Sequence, residues 1–322
     1  MKFIGLTSGR LFIYGSLFTL GILLPFIVRS EYSIHLLILC CIWIMMTTGY
    51  NLLYGYTGAL SFGHAAFIAI GAYTSTLLVM NFNVPWPLGM LSGGVMAAII
   101  AALIGIPVLR LTGVYFAFVT IGFGEVTRLT IKNWESLTGG PYGIIEVPPM
   151  FESLTLTYIF VFLVMMFVFL VTHRIVHSRI GRAFIAIREN RDLAESIGIN
   201  VANYRLLAYV LSAFFCGVGG AMMVHYLGYC YPELASIFLS VNLVLYTIIG
   251  GPGTLLGPTV AAFLFTLFPE LFRFIGDYKA LLYGVILVVV IIFAPRGLEP
   301  ILRSLFSVIT VRLKSMKVAK AK

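Results

Sequence analysis

Ser178-Arg-Ile-Gly-Arg-Ala-Phe-Ile-Ala-Ile-Arg188-Glu-Asn-Arg-Asp-Leu-Ala-Glu-Ser-Ile-Gly198-Ile-Asn-Val201 is the one long polar passage between hydrophobic runs in this chain. It carries Arg179, Arg182, Arg188, Glu189, Arg191, Asp192 and Glu195, and His173, Arg174 and His177 precede it. A lipid interior cannot solvate such a density of charge, so the passage must lie in water, on a headgroup surface or against a partner. Its local grammar is helical. Asn190 is an N-cap residue type, Asp192 suits a first turn, and Gly198 suits the left-handed position after a last turn. Ile187, Ala194 and Ile197 are spaced to form one small apolar stripe. The reading is a short capped helix with charged flanks, set between two membrane spans. The plain alternative is a solvated basic loop.

Everything around that passage is built for lipid. Of 322 residues, 60% are hydrophobic and 10% charged, and the mean hydropathy is +1.03. That balance predicts an all-α polytopic membrane protein. Spans are expected at about 11–28, 34–54, 63–80, 88–109, 114–131, 156–173, 206–226, 236–250, 257–272 and 280–294, ten in all. Several fall short of the roughly 20 residues that a straight crossing needs, so broken or re-entrant segments are expected. The formal charge of +9 raises nucleic acid as a partner, but the basic residues cluster between spans, which points to the bilayer instead. With the N-terminus inside, 16 of the 21 Lys and Arg residues fall on the cytoplasmic side. Both termini are then cytoplasmic, with a transmembrane domain over 1–300 and a basic tail over 301–322 lying on the anionic leaflet. The run after Lys2 and Arg10 reads as an uncleaved first span, with a signal peptide as the rival. Cys40, Cys41, Cys216 and Cys230 imply neither a disulfide framework nor a metal site.

Two glycine-rich segments interrupt the apolar pattern: Gly55-Tyr-Thr-Gly-Ala-Leu-Ser-Phe-Gly-His64 and Gly250-Gly-Pro-Gly-Thr-Leu-Leu-Gly-Pro258. Both are expected on the cytoplasmic side, each after a span that enters from outside, and with ten spans, spans two to five and seven to ten then run in opposite directions at matching positions. That is the layout of an inverted repeat. Irregular backbone at membrane depth must be buried in protein or line a cavity, so these segments are candidate pathway walls. Close helix packing is the competing explanation, as in Gly89-x-x-x-Gly93 and Gly253-x-x-x-Gly257.

Chemistry-bearing motifs are sparse. There is no phosphate-binding loop and no Gly-Lys pair, so the chain cannot itself be a P-loop ATPase. No metalloprotease or serine-hydrolase motif is present, and the five histidines lack ligand spacing. Glu125 and Arg128 sit three apart on one helix face inside a span. Each lone charge at a span centre costs about 2.5–3.5 kcal/mol, so pairing or a wet cavity must relieve them. His64, beside the first glycine break, reads either as a hydrogen-bonded packing residue or as a pathway residue.

In this order and spacing, several stretches resemble one family. They are Tyr50-Asn-Leu-Leu-Tyr-Gly-Tyr-Thr-Gly-Ala-Leu-Ser-Phe-Gly-His-Ala-Ala-Phe67, Leu111-Thr-Gly-Val-Tyr-Phe-Ala117, Gly124-Glu125 and Thr138-Gly-Gly-Pro-Tyr-Gly143. Gly181-Arg-Ala, Arg188-Glu-Asn, Gly198-Ile, Gly250 to Pro258 and Phe293-Ala-Pro-Arg-Gly297 complete the set. The chain is similar over about residues 35–298 to the permease subunits of bacterial branched-chain amino-acid ABC importers, specifically the longer of the two paired permeases. Urea permeases share these motifs. The resemblance implies that residues 178–201 form the coupling helix, which fits a cleft on a cytoplasmic ATPase subunit. Arg188, Glu189, Asn190, Arg191, Asp192, Glu195 and Gly198 are then the coupling residues. Arg191 stands where the family usually has an acid, which implies an adapted charge partner. Ser61, Phe62, His64, Tyr115, Phe116 and Glu125 are the implied substrate pathway. The implied partners are ATPase subunits, a second homologous permease and a periplasmic binding protein, in the inner membrane. No cofactor is expected on this chain, since ATP belongs to the ATPase subunit. The rivals are a urea permease of the same architecture, an ion-coupled secondary transporter or channel, and a structural membrane protein.

Overall fold

Among the described residues, six helices are long and apolar enough to cross a membrane. They are α1 (Glu31–Thr57), α2 (His64–Phe82), α3 (Trp86–Val108), α4 (Gly113–Asn133), α6 (Leu154–Val176) and α9 (Val201–Leu227). This computed structural model describes residues 30–271 together with Gly21, Pro25, Gly284 and residues 297–299. The shortest of the six has 19 residues, which at 1.5 Å per residue reaches about 28 Å, close to a bilayer core. Two further apolar helices, α10 (Ile237–Gly250) and α11 (Leu256–Leu271), flank the second glycine segment. With 14 residues α10 is too short for a straight crossing. The expected spans 11–28 and 280–294, and the tail 301–322, lie outside the described residues.

The remaining elements cap the ends. A short α5 (Glu135–Thr138) and two 3₁₀ turns, Gly140–Tyr142 and Pro232–Ala235, sit with a two-stranded ribbon at one end. In that ribbon β1 (Ile144–Ile145) pairs antiparallel with β2 (Tyr229–Cys230), Ile144 opposite Cys230. His225 of α9 fastens this end: its Nε2 meets Ser75 Oγ at 2.9 Å and its Nδ1 meets Pro148 O at 2.8 Å. The charged helices α7 (Arg179–Glu189) and α8 (Arg191–Ser196) follow α6 at its opposite end.

Helix α9 is the centre of the bundle, packed against α1, α2 and α3. Lipid offers no hydrophobic drive between helices, so association depends on close van der Waals contact, and small residues permit it. A Cβ on Gly71 would strike the Gly217 backbone, one on Gly93 would strike Gly71 O, and one on Gly220 would strike Ile68 O. Gly89 sits over Ser75 and Val79, so the Gly89-x-x-x-Gly93 spacing serves helix packing. Helices α1 and α9 are mostly enclosed, whereas α4 and α6 turn most of their surface outward.

Candidate functional site

The charged passage is two helices and not one. Ser178 opens α7, its Oγ accepting from Ile180 N at 3.1 Å. Asn190 then lies in an extended conformation, φ −159° and ψ 114°, and ends α7 while its Oδ1 accepts from Leu193 N at 3.0 Å to start α8. A residue that caps one helix from an extended backbone cannot continue another, so the joint follows from the cap. At the far end Gly198 takes φ +85°. Gly198 N donates to Glu195 O and Ile199 N to Ala194 O, both at 3.0 Å, which closes a Schellman turn. Asn200 then caps α9, its Oδ1 accepting from Asn203 N at 3.1 Å.

The expected apolar stripe is corrected in one member. Ile187 and Ala194 are buried together, but Val201 completes their cluster and Ile197 is 68% exposed. The left-handed turn at Gly198 redirects the chain after Ile197 and brings Val201 back to the cluster. Arg191 finds its partner on its own helix, with Nε 3.3 Å from Glu195 Oε1, both exposed. Such a pair contributes only a few tenths of a kcal/mol. Glu189 and Asp192 stand on the exposed surface.

Arg188 points the other way. Its Nη1 donates to Gly55 O at 2.6 Å in the first glycine segment and to Pro252 O at 3.1 Å in the second. Asn51 of α1, one turn before Gly55, also binds the second segment, donating from Nδ2 to Thr254 O at 2.7 Å and accepting from Gly253 N at 3.2 Å. Leu298 N donates to Ile249 O at 2.8 Å, so residues 297–298 reach this junction as well. Both glycine segments therefore lie at the end of the bundle that carries α7 and α8. A side chain at Gly253 would collide with the Arg188 guanidinium, which is why that position holds none.

The expected pathway residues separate into three places. Ser61 and His64 are fully buried. His64 Nδ1 meets Ser61 Oγ at 3.1 Å and His64 Nε2 meets Ser212 Oγ at 2.8 Å, with Tyr50, Phe67 and Tyr209 packed edge-on around the ring. The imidazole thus pins α2 to α9 in this state. Phe62 and Phe116 come together on the wall of a half-enclosed pocket of about 380 Å³, with Gly58, Leu60, Val114 and Arg205. Tyr115, on the neighbouring face, is 74% exposed and does not line it.

Glu125 lies nine residues beyond Phe116, about 13 Å along α4. It accepts two bonds from Arg128, from Nε to Oε2 at 3.0 Å and from Nη2 to Oε1 at 2.6 Å. Glu125 sits on an outward stripe, Tyr115, Phe118, Gly122, Glu125 and Leu129, whose members follow one another at alternating three- and four-residue steps. A Cβ on Gly122 would meet nothing within 4 Å.

Sequence reasoning missed two residues. Asn51 and Arg205 are strongly polar side chains within largely apolar helices, and that mismatch was their available signal. Arg205 is 6% exposed, donates from Nη1 to Leu109 O at 3.1 Å, and lies 5.7 Å from the Phe116 ring centre. Among the described residues no group of three His, Cys, Asp or Glu could hold a metal ion.

Comparisons with known proteins agree with this architecture. A family model described as "Branched-chain amino acid transport system / permease component" matches residues 32–294. The chain is 31% identical over 317 aligned residues to the high-affinity branched-chain amino acid transport system permease protein LivM of Escherichia coli K12, covering 89% of this chain and 74% of that protein. It is 24% identical over 283 residues to the permease protein LivH of Salmonella typhimurium LT2, covering 79% of this chain and 90% of that one. A probable branched-chain amino acid transport permease protein LivM of Methanocaldococcus jannaschii is 20% identical over 329 residues, covering 83% and 94%. No solved structure matches the chain significantly.

Proposed function

The chain belongs to the branched-chain amino acid transport permease family, and from that membership we propose that it is the membrane-embedded permease subunit of an ATP-driven importer carrying leucine, isoleucine or valine into the cytoplasm. It is a multi-pass transport subunit and not an enzyme. The observation that carries the mechanism is the Arg188 junction, where one guanidinium joins the charged helices to both breaks in the bundle. A push on α7 and α8 is transmitted directly to Gly55 and Pro252. Held in one access state and released in the other, that connection would be the differential contact a two-state change requires.

In this reading ATPase subunits bind the outer face of α7 and α8 through Glu189, Arg191, Asp192 and Glu195. Asn190 and Gly198 fix the shape of that face. Arg188 faces inward and transmits. A second homologous permease covers the outward stripe of α4, because bare lipid is a poor solvent for the Glu125–Arg128 pair. Ser61, Phe62, His64, Tyr115, Phe116 and Glu125 belong to the substrate pathway or to its supporting wall. A periplasmic binding protein delivers the amino acid at the end that carries β1 and β2. The full chain makes ten spans in an inner membrane, with both termini cytoplasmic and residues 301–322 on the anionic leaflet. The same reading includes an inverted repeat between the two halves of the bundle. The chain holds no cofactor, and ATP is consumed by the partner.

The test is radiolabelled leucine uptake in cells lacking this subunit, complemented with wild type or Glu189→Arg, with isoleucine, valine and urea as competitors. Wild type restores energy-dependent uptake that isoleucine and valine inhibit, and Glu189→Arg accumulates in the membrane without restoring it. Competition by urea alone overturns the substrate. Uptake driven by an ion gradient without ATP overturns the mechanism.

A further inference from the structure

The Phe62–Phe116 pocket holds a cation that the function described so far does not use. Arg205 has five N–H donors. One goes to Leu109 O, and among the described residues no carboxylate pairs with the guanidinium. Its charge is set against the Phe116 ring in a nearly dehydrated wall. A buried cation without an anionic partner is costly unless something else answers it. The same wall carries the N-terminus of α4. Thr112 gives that end no side-chain cap, so the first amides, those of Gly113, Val114 and Tyr115, lack an acceptor within the helix. The partial positive charge of the helix end and the guanidinium thus converge on one half-enclosed space, lined otherwise by apolar side chains and glycine.

We propose that this pocket is a carboxylate subsite, in which Arg205 and the α4 N-terminus hold the carboxylate of the transported amino acid while Phe62 and its neighbours take the aliphatic side chain. The assignment rests on the importer reading above and deepens it. Its position gives it a role. Gly58 lies on the pocket wall and also against the Arg188 side chain, 3.6 Å from where a Cβ would stand to Arg188 Cγ. The subsite therefore adjoins the junction that the charged helices move, and a shift of Arg188 alters the wall that holds the amino acid.

The test uses the importer assembled with its partner subunits in lipid nanodiscs. Val114→Cys, on the pocket rim, serves as a maleimide reporter, and the four native cysteines are buried and silent. Leucine slows labelling at least fivefold, while isoamylamine, which is leucine without its carboxylate, leaves it unchanged. Arg205→Gln abolishes the protection by leucine and Arg205→Lys keeps part of it. Should Arg205→Gln fail to assemble, the comparison of leucine with isoamylamine on the reporter protein alone decides. Equal protection by the amine, or protection that survives Arg205→Gln, overturns the site. Protection that appears without leucine in phosphatidylglycerol discs, and not in phosphatidylcholine discs, assigns the pocket to a lipid phosphate and overturns it too. Leucine uptake by the reporter assembly in proteoliposomes separates the two levels. Uptake without protection sinks the subsite alone, and absence of leucine uptake by the wild-type assembly sinks the importer reading together with the subsite.

Discussion

Replacing Arg188 with alanine removes both bonds that tie α7 to the glycine segments, to Gly55 O and Pro252 O. A hydrogen bond from a charged donor contributes about 1.5–3 kcal/mol when sheltered. Arg188 is exposed along much of its length, and the bond to Pro252 lies at the surface, so solvent screens part of that sum. A net loss of about 2 kcal/mol shifts the balance between tethered and untethered helices by about thirtyfold. The outer faces of α7 and α8 are untouched by the change. The ATPase subunits should therefore still bind and hydrolyse ATP, while the stroke no longer reaches the breaks. The assay is leucine uptake and phosphate release on the same proteoliposomes. Uptake per ATP should fall on the order of tenfold in Arg188→Ala, with ATPase subunits still copurifying. Arg188→Lys should fall between, because an ammonium reaches one carbonyl well and lacks the planar fork that serves two. An unchanged ratio of uptake to hydrolysis in Arg188→Ala refutes the reasoning. Loss of the ATPase subunits refutes it differently, by showing that Arg188 contacts them directly.

Three further outcomes can be checked. Gly71→Val forces a branched side chain into the Gly217 backbone, which should cost about 1–3 kcal/mol or more and lower both yield and melting temperature in detergent; a variant that melts like wild type contradicts the tight seam of α2 with α9. Gly122→Cys, with open space around it, should cross-link to the second permease in native membranes, whereas labelling by a lipid-phase maleimide without any cross-link shows that α4 faces lipid. His225→Phe strands Ser75 Oγ and Pro148 O, and a buried group left unpaired costs about 1–3 kcal/mol, so residues 139–150 should be cut faster by protease while the rest of the chain resists as before.

Much of the fold was legible because it is written locally. Apolar runs of 18 or more residues become spans wherever lipid is the solvent, and six expected runs coincide with six long helices. The turn chemistry of Asn190 and Gly198 was legible for the same reason, since a cap and a left-handed glycine act within four residues of chain. The same grammar contains the break between α7 and α8. An N-cap at Asn190 requires extended backbone there, so a single helix over 178–201 was excluded by the cap that argued for it. The direction of Arg188 was not legible, because its acceptors lie 133 and 64 residues away and charge alone suggests solvent. Tyr115 and Phe116 are adjacent and chemically alike, yet one is exposed and the other buried, and only the packing of α4 distinguishes them. The short α10 before the second break was legible as a shortfall in length, and the meeting of that break with Asn51 was not.

The junction also answers a structural need, and this bears on how its role can be isolated. Chain breaks at the end of a bundle free carbonyls and amides that must find partners within the protein. Arg188 satisfies Gly55 O and Pro252 O, and Asn51 satisfies Thr254 O and Gly253 N. Removing either residue therefore destabilises the same few turns of backbone, and a fall in transport alone cannot say whether a connection or merely a fold was lost. The two residues differ in one respect. Asn51 joins α1 to the second break within the bundle, whereas Arg188 joins both breaks to the charged helices. If the breaks only need satisfying, Asn51→Ala and Arg188→Ala lower melting temperature and uptake in proportion, and uptake per ATP stays constant in both. If Arg188 transmits the stroke, Asn51→Ala lowers uptake and hydrolysis together, while Arg188→Ala separates them at equal melting temperature.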